Sequence, residues 1–160
     1  MQNFERSVNR IVASDKAFTF AAPEGAYTIE ILAYNYNAVK DVLTLDLVLH
    51  PDRLYFRKSY FFSRKDGGDN TIALNEAASV LEAALDRKGI RIINNKVLDS
   101  ALGCYFHADI KNNQSNGRVY SNFDKESIRK CTDEDIEALR KDDGGDLLDE
   151  DFNFDDDDAA

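Results

Sequence analysis

Asn75-Glu76-Ala77-Ala78-Ser79-Val80-Leu81-Glu82-Ala83-Ala84-Leu85-Asp86-Arg87-Lys88 is the stretch on which the fold turns. Ala77, Val80, Leu81, Ala84 and Leu85 recur at i, i+3, i+4, i+7 and i+8, the spacing that draws one apolar stripe along a helix. Asn75 can cap its start and Gly89 supplies its stop. On both sides the period falls towards two, so this helix interrupts a chain of strands.

Upstream, Tyr27, Ile29 and Ile31 alternate after the Pro23-Glu24-Gly25 break, which predicts a first strand over residues 25–34. Leu43, Leu45, Leu47 and Leu49 share one face of a second run that ends at the turn signal His50-Pro51-Asp52. Tyr55 to Phe62 reads as a third strand, closed by Asp66-Gly67-Gly68-Asp69-Asn70. Downstream of the helix, Tyr105 to Lys111 and Arg118 to Phe123 are joined by a loop ending in Asn116-Gly117, a pair that favours positive φ and predicts a hairpin. Thr132 can cap a short helix over residues 132–140, with acids in its first turn and bases in its last. Three strands, a helix and two strands is the element order of the OB-fold, a small Greek-key β-barrel with its helix between strands three and four. The expected fold is therefore mainly β: an OB-like barrel of five strands with one helix, a short C-terminal helix and a disordered acidic tail. The matching division is an N-terminal arm over residues 1–22, an OB-like domain over 23–123, a helical linker over 124–141 and the tail over 142–160.

That tail holds the whole charge imbalance. Of 30 acidic residues against 20 basic, ten lie in Asp142 to Ala160, which contains no base, so the preceding 141 residues are formally neutral although the chain reads −10. Like charges and four scattered apolar residues cannot offset the entropy of ordering, and a mobile polyanion is expected. A simple solubilising appendage has no use for Phe152 and Phe154. Beside Asp155, Asp156, Asp157 and Asp158 they suit a peptide that docks by charge steering and an aromatic anchor.

The chemistry of the body concentrates in Arg53-Leu54-Tyr55-Phe56-Arg57-Lys58-Ser59-Tyr60-Phe61-Phe62-Ser63-Arg64-Lys65, where five cations interleave with five rings. One face of such a strand, with Phe56 and Phe62, fills the core. Alternation then sends other rings and cations to the opposite face. Rings beside cations suit single-stranded nucleic acid, whose bases stack while its phosphates meet the charges. Tyr34 and Tyr36 on the first strand, and Lys111, Arg118, Tyr120 and Phe123 in the last hairpin, are candidates to extend that surface.

Other chemistries find little support. His50 and His107 lie far apart with no ligand-spaced Cys, Asp or Glu, and Cys104 and Cys131 fit no metal spacing, so no metal, no disulfide and no cofactor are expected. No phosphate loop or nucleophile elbow occurs, and an enzyme is not expected. Asp149-x-Asp151-x-Asn153-x-Asp155 imitates the start of a calcium loop but has Phe154 where glycine is required and Ala160 where glutamate is required. The N-terminus offers no apolar signal region and no stretch approaches twenty apolar residues, so neither export nor a membrane partner is expected. A cytoplasmic location follows, the host's if the chain is viral.

Taken together, Pro23-Glu24-Gly25-Ala26-Tyr27, the helix at 75–88, Leu102-Gly103, Asn116-Gly117-Arg118-Val119-Tyr120 and the Asp/Phe tail make the chain resemble phage-type single-stranded DNA-binding proteins, which join an OB-fold to an acidic C-terminus. The resemblance implies a protein that coats single-stranded DNA in replication, recombination or repair and recruits replication or recombination proteins through its tail. The site it implies comprises Tyr34, Tyr36, Arg53, Tyr55, Arg57, Lys58, Tyr60, Phe61, Arg64, Lys65, Lys111, Arg118 and Tyr120. An alternative reading makes the tail the active surface, a DNA mimic or adaptor that occupies the basic groove of a nucleic-acid enzyme. Monomer and homo-oligomer are both compatible with the sequence.

Overall fold

A computed structural model describes residues 4–140. The acidic tail and its Phe152, Phe154 and Asp155 to Asp158 lie outside the described residues. The chain runs β1 (Glu5–Ser7), β2 (Gly25–Asn37), β3 (Val42–His50), β4 (Leu54–Phe61), α1 (Thr71–Leu85), β5 (Ile92–Asn94), α2 (Asn95–Ala101), β6 (Tyr105–Ser115), β7 (Arg118–Phe123), a 3-10 turn at Lys125–Ser127, β8 (Arg129–Lys130) and α3 (Asp133–Arg140). The architecture is mainly β. A curled antiparallel half-barrel has the strand order β4-β3-β2-β6-β7, β8 pairs with β6, and β1 and β5 form a small parallel pair. The half-barrel with α1 following its third long strand is compatible with an OB-like barrel.

Register explains the core. Leu43, Leu45, Leu47 and Leu49 stand opposite Tyr36, Tyr34, Ile31 and Ile29, so the inward face of β3 meets the inward face of β2. Strict alternation from Ile31 would carry Tyr34 outward. An irregularity between Ile31 and Ala33 inserts one residue and restores the phase, as a β-bulge does. Tyr34 consequently sits in the core with Phe56, Phe62, Phe106 and Leu81.

Helix α1 begins earlier than its stripe suggested, at Thr71. The side chain of Asn70, rather than Asn75, accepts the amide of Ala73 at 3.3 Å, and Leu74 extends the buried stripe by one turn. The helix also ends earlier, at Leu85, because Asp86 takes the left-handed conformation with φ 54°. The last hairpin is longer than expected: β6 continues through Asn112 to Ser115, and only Asn116 and Gly117, at φ 52° and 78°, make the turn. The Thr132 cap is present in reciprocal form. Asp135 donates its amide to Thr132 Oγ1 at 3.1 Å and accepts the Thr132 amide at 2.9 Å, which satisfies two free donors of the helix start.

Four antiparallel pairings make β4 and β7 run in the same direction on opposite edges of the curled sheet, and among the described residues no strand ladder joins them. Across this seam Phe56 meets Phe123 with ring centres 6.1 Å apart, and Lys58 Nζ donates to Asn122 Oδ1 at 3.0 Å. The N-terminal arm lies over the same region. Thr19 bonds β4 through Tyr55 O at 3.1 Å and the Arg57 amide at 2.8 Å, and the Ala22 amide reaches Ser121 Oγ of β7 at 2.8 Å.

Candidate nucleic-acid interface

Strand β4 distributes its side chains as alternation requires. Phe56 and Tyr60 go inward and are buried, with Lys58 half-buried between them, while Tyr55, Arg57, Ser59 and Phe61 lie on the other face. Tyr60 is therefore part of the core, with its hydroxyl donated to Glu76 Oε2 at 2.8 Å. Burial, reinforced by the Glu76 charge, pushes its phenol well above the ordinary tyrosine range.

The outer face of β4 is only partly free. Phe18 of the arm packs edge-on against Tyr55 at 5.5 Å, Lys16 stands 5.8 Å above the same ring, and the Arg57 guanidinium lies 4.9 Å over Phe18. Arg57 also donates to Asp46 Oδ1 at 2.7 Å and Oδ2 at 3.2 Å. These contacts hold Tyr55 and half of Arg57 within the protein's own structure.

Beyond the arm the seam opens into a cleft of about 500 Å³ between β4 and β7, lined by Phe20, Arg57, Lys58, Ser59, Phe61 and residues 118–122. Phe20, Phe61, Val119 and Tyr120 are 54%, 56%, 44% and 43% exposed, and all four line this one cleft. Among the described residues no carboxylate lines it, whereas Arg57, Lys58 and Arg118 do. Lys58 is held between solvent and core: desolvation lowers its pKa, partly opposed by the charge of Glu76. Its ammonium lies 5.5 Å from the Tyr60 ring and 5.9 Å from the Phe123 ring, contacts that favour a cation. The cleft thus offers apolar and aromatic faces at its rim and the positive charges of Lys58 and Arg118, with Arg57 already paired to Asp46.

Of the residues proposed from sequence, Arg57, Lys58, Phe61, Arg118 and Tyr120 come together there. The others do not. Tyr34 is buried, with its hydroxyl on Asp99 Oδ1 at 2.7 Å, and Tyr36 donates to Asp41 Oδ1 at 2.6 Å. Both were expected to share a side of an extended strand, and they do, but the bulge turns that side to the core. Arg53 is exposed at the turn between β3 and β4, with φ 58°. Arg64 pairs with Asp66 at 3.2 Å, Lys65 is exposed in the loop after β4, and Lys111 Nζ lies 3.6 Å from Asp124. His50 and His107 sit 3.5 Å from Glu30 and 3.3 Å from Asp109.

Phe18, Phe20 and Val119 were missed. Phe18-Thr19-Phe20 does carry a signal, alternating rings beside Lys16, but only the docking of the arm on β4 makes the two phenylalanines relevant. No helix among the described residues is long and apolar enough to cross a membrane. Compared with known proteins, the chain matches no family model and no curated sequence.

Proposed function

We propose that this protein binds single-stranded nucleic acid, with single-stranded DNA as its ligand, in the cleft between β4 and β7. One observation carries the reading: four large apolar side chains left exposed by folding converge on one cleft that, among the described residues, contains three cations and no carboxylate. Exposed rings are costly unless something covers them, and bases stack on such rings whatever their sequence. Phe61, Tyr120 and Phe20 take bases, and Arg118 and Lys58 meet phosphates. The protein acts by binding and not by catalysis, covering single strands in replication, recombination or repair, with partner proteins recruited through the acidic segment at 142–160.

The test is a titration of the full chain with fluorescent oligothymidylate at several salt concentrations. Binding should weaken steeply with salt, and the Phe61→Ala/Tyr120→Ala double variant should bind far less. Wild-type affinity in that variant would remove the cleft from the interface. Removing residues 142–160 deletes ten carboxylates and should tighten binding. If the shortened chain binds no oligonucleotide, yet the full chain inhibits a nucleic-acid enzyme, the DNA-mimic reading replaces this one.

A further inference from the structure

A second pocket, sharing no lining residue with the cleft, lies where α1 ends and β5 leads into α2. It measures about 450 Å³ and is lined by Arg87, Lys88, Arg91 and Lys96 together with Ile92 and Asn94. Among the described residues, its lining contains no carboxylate and no aromatic ring. Several cations elsewhere are matched, Arg6 with Asp41, Arg10 with Asp99, Arg57 with Asp46, Arg129 with Asp135 and Lys130 with Asp86, and those left single, such as Lys40, Arg53 and Lys65, do not gather in one pocket with one another. Among the described residues, none of the four cations of this pocket has an ion-pair partner, and all four are exposed.

Their placement is fixed by the backbone. Glu82 Oε2 accepts the amides of Gly89 at 2.9 Å and Ile90 at 3.0 Å, and Asp86 and Gly89 both adopt positive φ. Ile90 and Ile93 are buried on either side of Arg91. The loop is therefore anchored at its base while its cations stand outward, without an ion-pair partner among the described residues. The four cations form a short track from the end of α1 to α2, which stops at an adjoining pocket where Glu82 and Asp86 join Arg87, Lys88, Arg129 and Lys130 and the charges are mixed.

We infer that this track is a second nucleic-acid site, which binds the phosphodiester backbone by charge alone. It rests on the proposed function only in taking nucleic acid as the ligand. A backbone needs repeated cations and no stacking partner, and that is what the track provides. An acidic peptide would need a deep apolar anchor besides charge; of the apolar residues in this lining, Ile90 is buried in the core and Ile92 and Val97 carry no ring.

The experiment compares three full-length proteins: wild type, Arg91→Gln/Lys96→Gln and the cleft variant Phe61→Ala/Tyr120→Ala. Each is titrated with oligothymidylates of about eight and about thirty nucleotides, the first within and the second well above the roughly 4–16 nucleotides that a single OB-like site spans. Neutralising two phosphate contacts should reduce the slope of log affinity against log salt by about 1.4 for the long strand. Binding of the short strand should be unchanged. An unaltered slope for the long strand, with affinity lost only in the cleft variant, overturns this inference and leaves the cleft standing. If the cleft variant binds normally and Arg91→Gln/Lys96→Gln does not, the cleft reading fails and the track is the main site. Unaltered DNA binding with loss of binding to a synthetic Asp-rich peptide also overturns the phosphate assignment. Thermal unfolding of both variants controls for fold.

Discussion

Lys58 Nζ donates to Asn122 Oδ1 at 3.0 Å, and this bond spans the one seam of the half-barrel that no strand ladder closes. Lysine at a core-facing position of β4 breaks the apolar pattern set by Phe56 and Tyr60, and such local exceptions are expected where function requires them. The lysine's pKa is lowered by desolvation against the opposing charge of Glu76. Its charged form therefore costs stability in full below its folded pKa, and that cost fades only as pH rises from there through the higher unfolded value. Lys58→Met should leave stability at neutral pH unchanged or raised by up to about 1 kcal/mol. Oligonucleotide affinity should fall, with a smaller salt slope. Urea unfolding and a salt-dependent titration of the same variant measure both effects, and lowered stability with intact affinity would make the lysine a structural bridge only.

Tyr60 and Phe61 are adjacent and face opposite sides of β4, which makes them an internal control. Phe61→Ala should cost about 1–3 kcal/mol of binding and little stability, because its ring is 56% exposed. Tyr60→Phe removes the bond to Glu76 and should cost about 1–2 kcal/mol of stability with no change in affinity. Equal binding losses in both variants would mean that β4 acts through its overall shape.

The contrast between these neighbours also marks how far the sequence could be read. Periods of two and 3.6 place the long strands and α1 because alternation and helical spacing are local properties. The bulge at Leu32 is not local in that sense: it is required only because Tyr34 and Tyr36 must face Leu45 and Leu43 on β3. Phe61 and Tyr120 are legible as rings on strands, yet their meeting depends on the curl that brings β4 towards β7. The arm hid its role for the same reason, since the bonds of Thr19 are to β4 backbone and backbone leaves no mark in sequence. The cations from Arg87 to Lys96 were visible as a run without acid, and became a pocket only through the turn held by Glu82.

The chain has seven tyrosines and no tryptophan, so tyrosine supplies its intrinsic fluorescence. Tyr120 lines the cleft, and a base stacked on it should quench its emission. Tyr120→Phe keeps a stacking face and removes only the hydroxyl. Affinity measured with a labelled oligonucleotide should therefore stay within about twofold, while the intrinsic quenching on binding shrinks. A large affinity loss would show instead that the hydroxyl makes a hydrogen bond to the ligand.

The carboxylate of Asp41 ties the arm to the barrel. Oδ1 accepts Arg6 Nε at 3.1 Å and the Tyr36 hydroxyl at 2.6 Å, while Oδ2 accepts Arg6 Nη2 at 2.7 Å and the Ser63 hydroxyl at 2.6 Å. Burial pushes this carboxyl up, but the bonds from Arg6, Ser63 and Tyr36 outweigh it and hold its pKa below the ordinary range. The unfolded chain then takes up the proton first as pH falls. The contribution is complete above the unfolded value of about 4 and is lost as pH falls through the folded value. Asp41→Asn should cost about 2–3 kcal/mol at neutral pH, since Arg6 retains only the longer 3.4 Å contact to Asp69. The variant should also lose part of the acid sensitivity seen below about pH 4. Urea unfolding at neutral and acid pH tests this, and parallel pH profiles for variant and wild type would show that Asp41 does not carry the linkage.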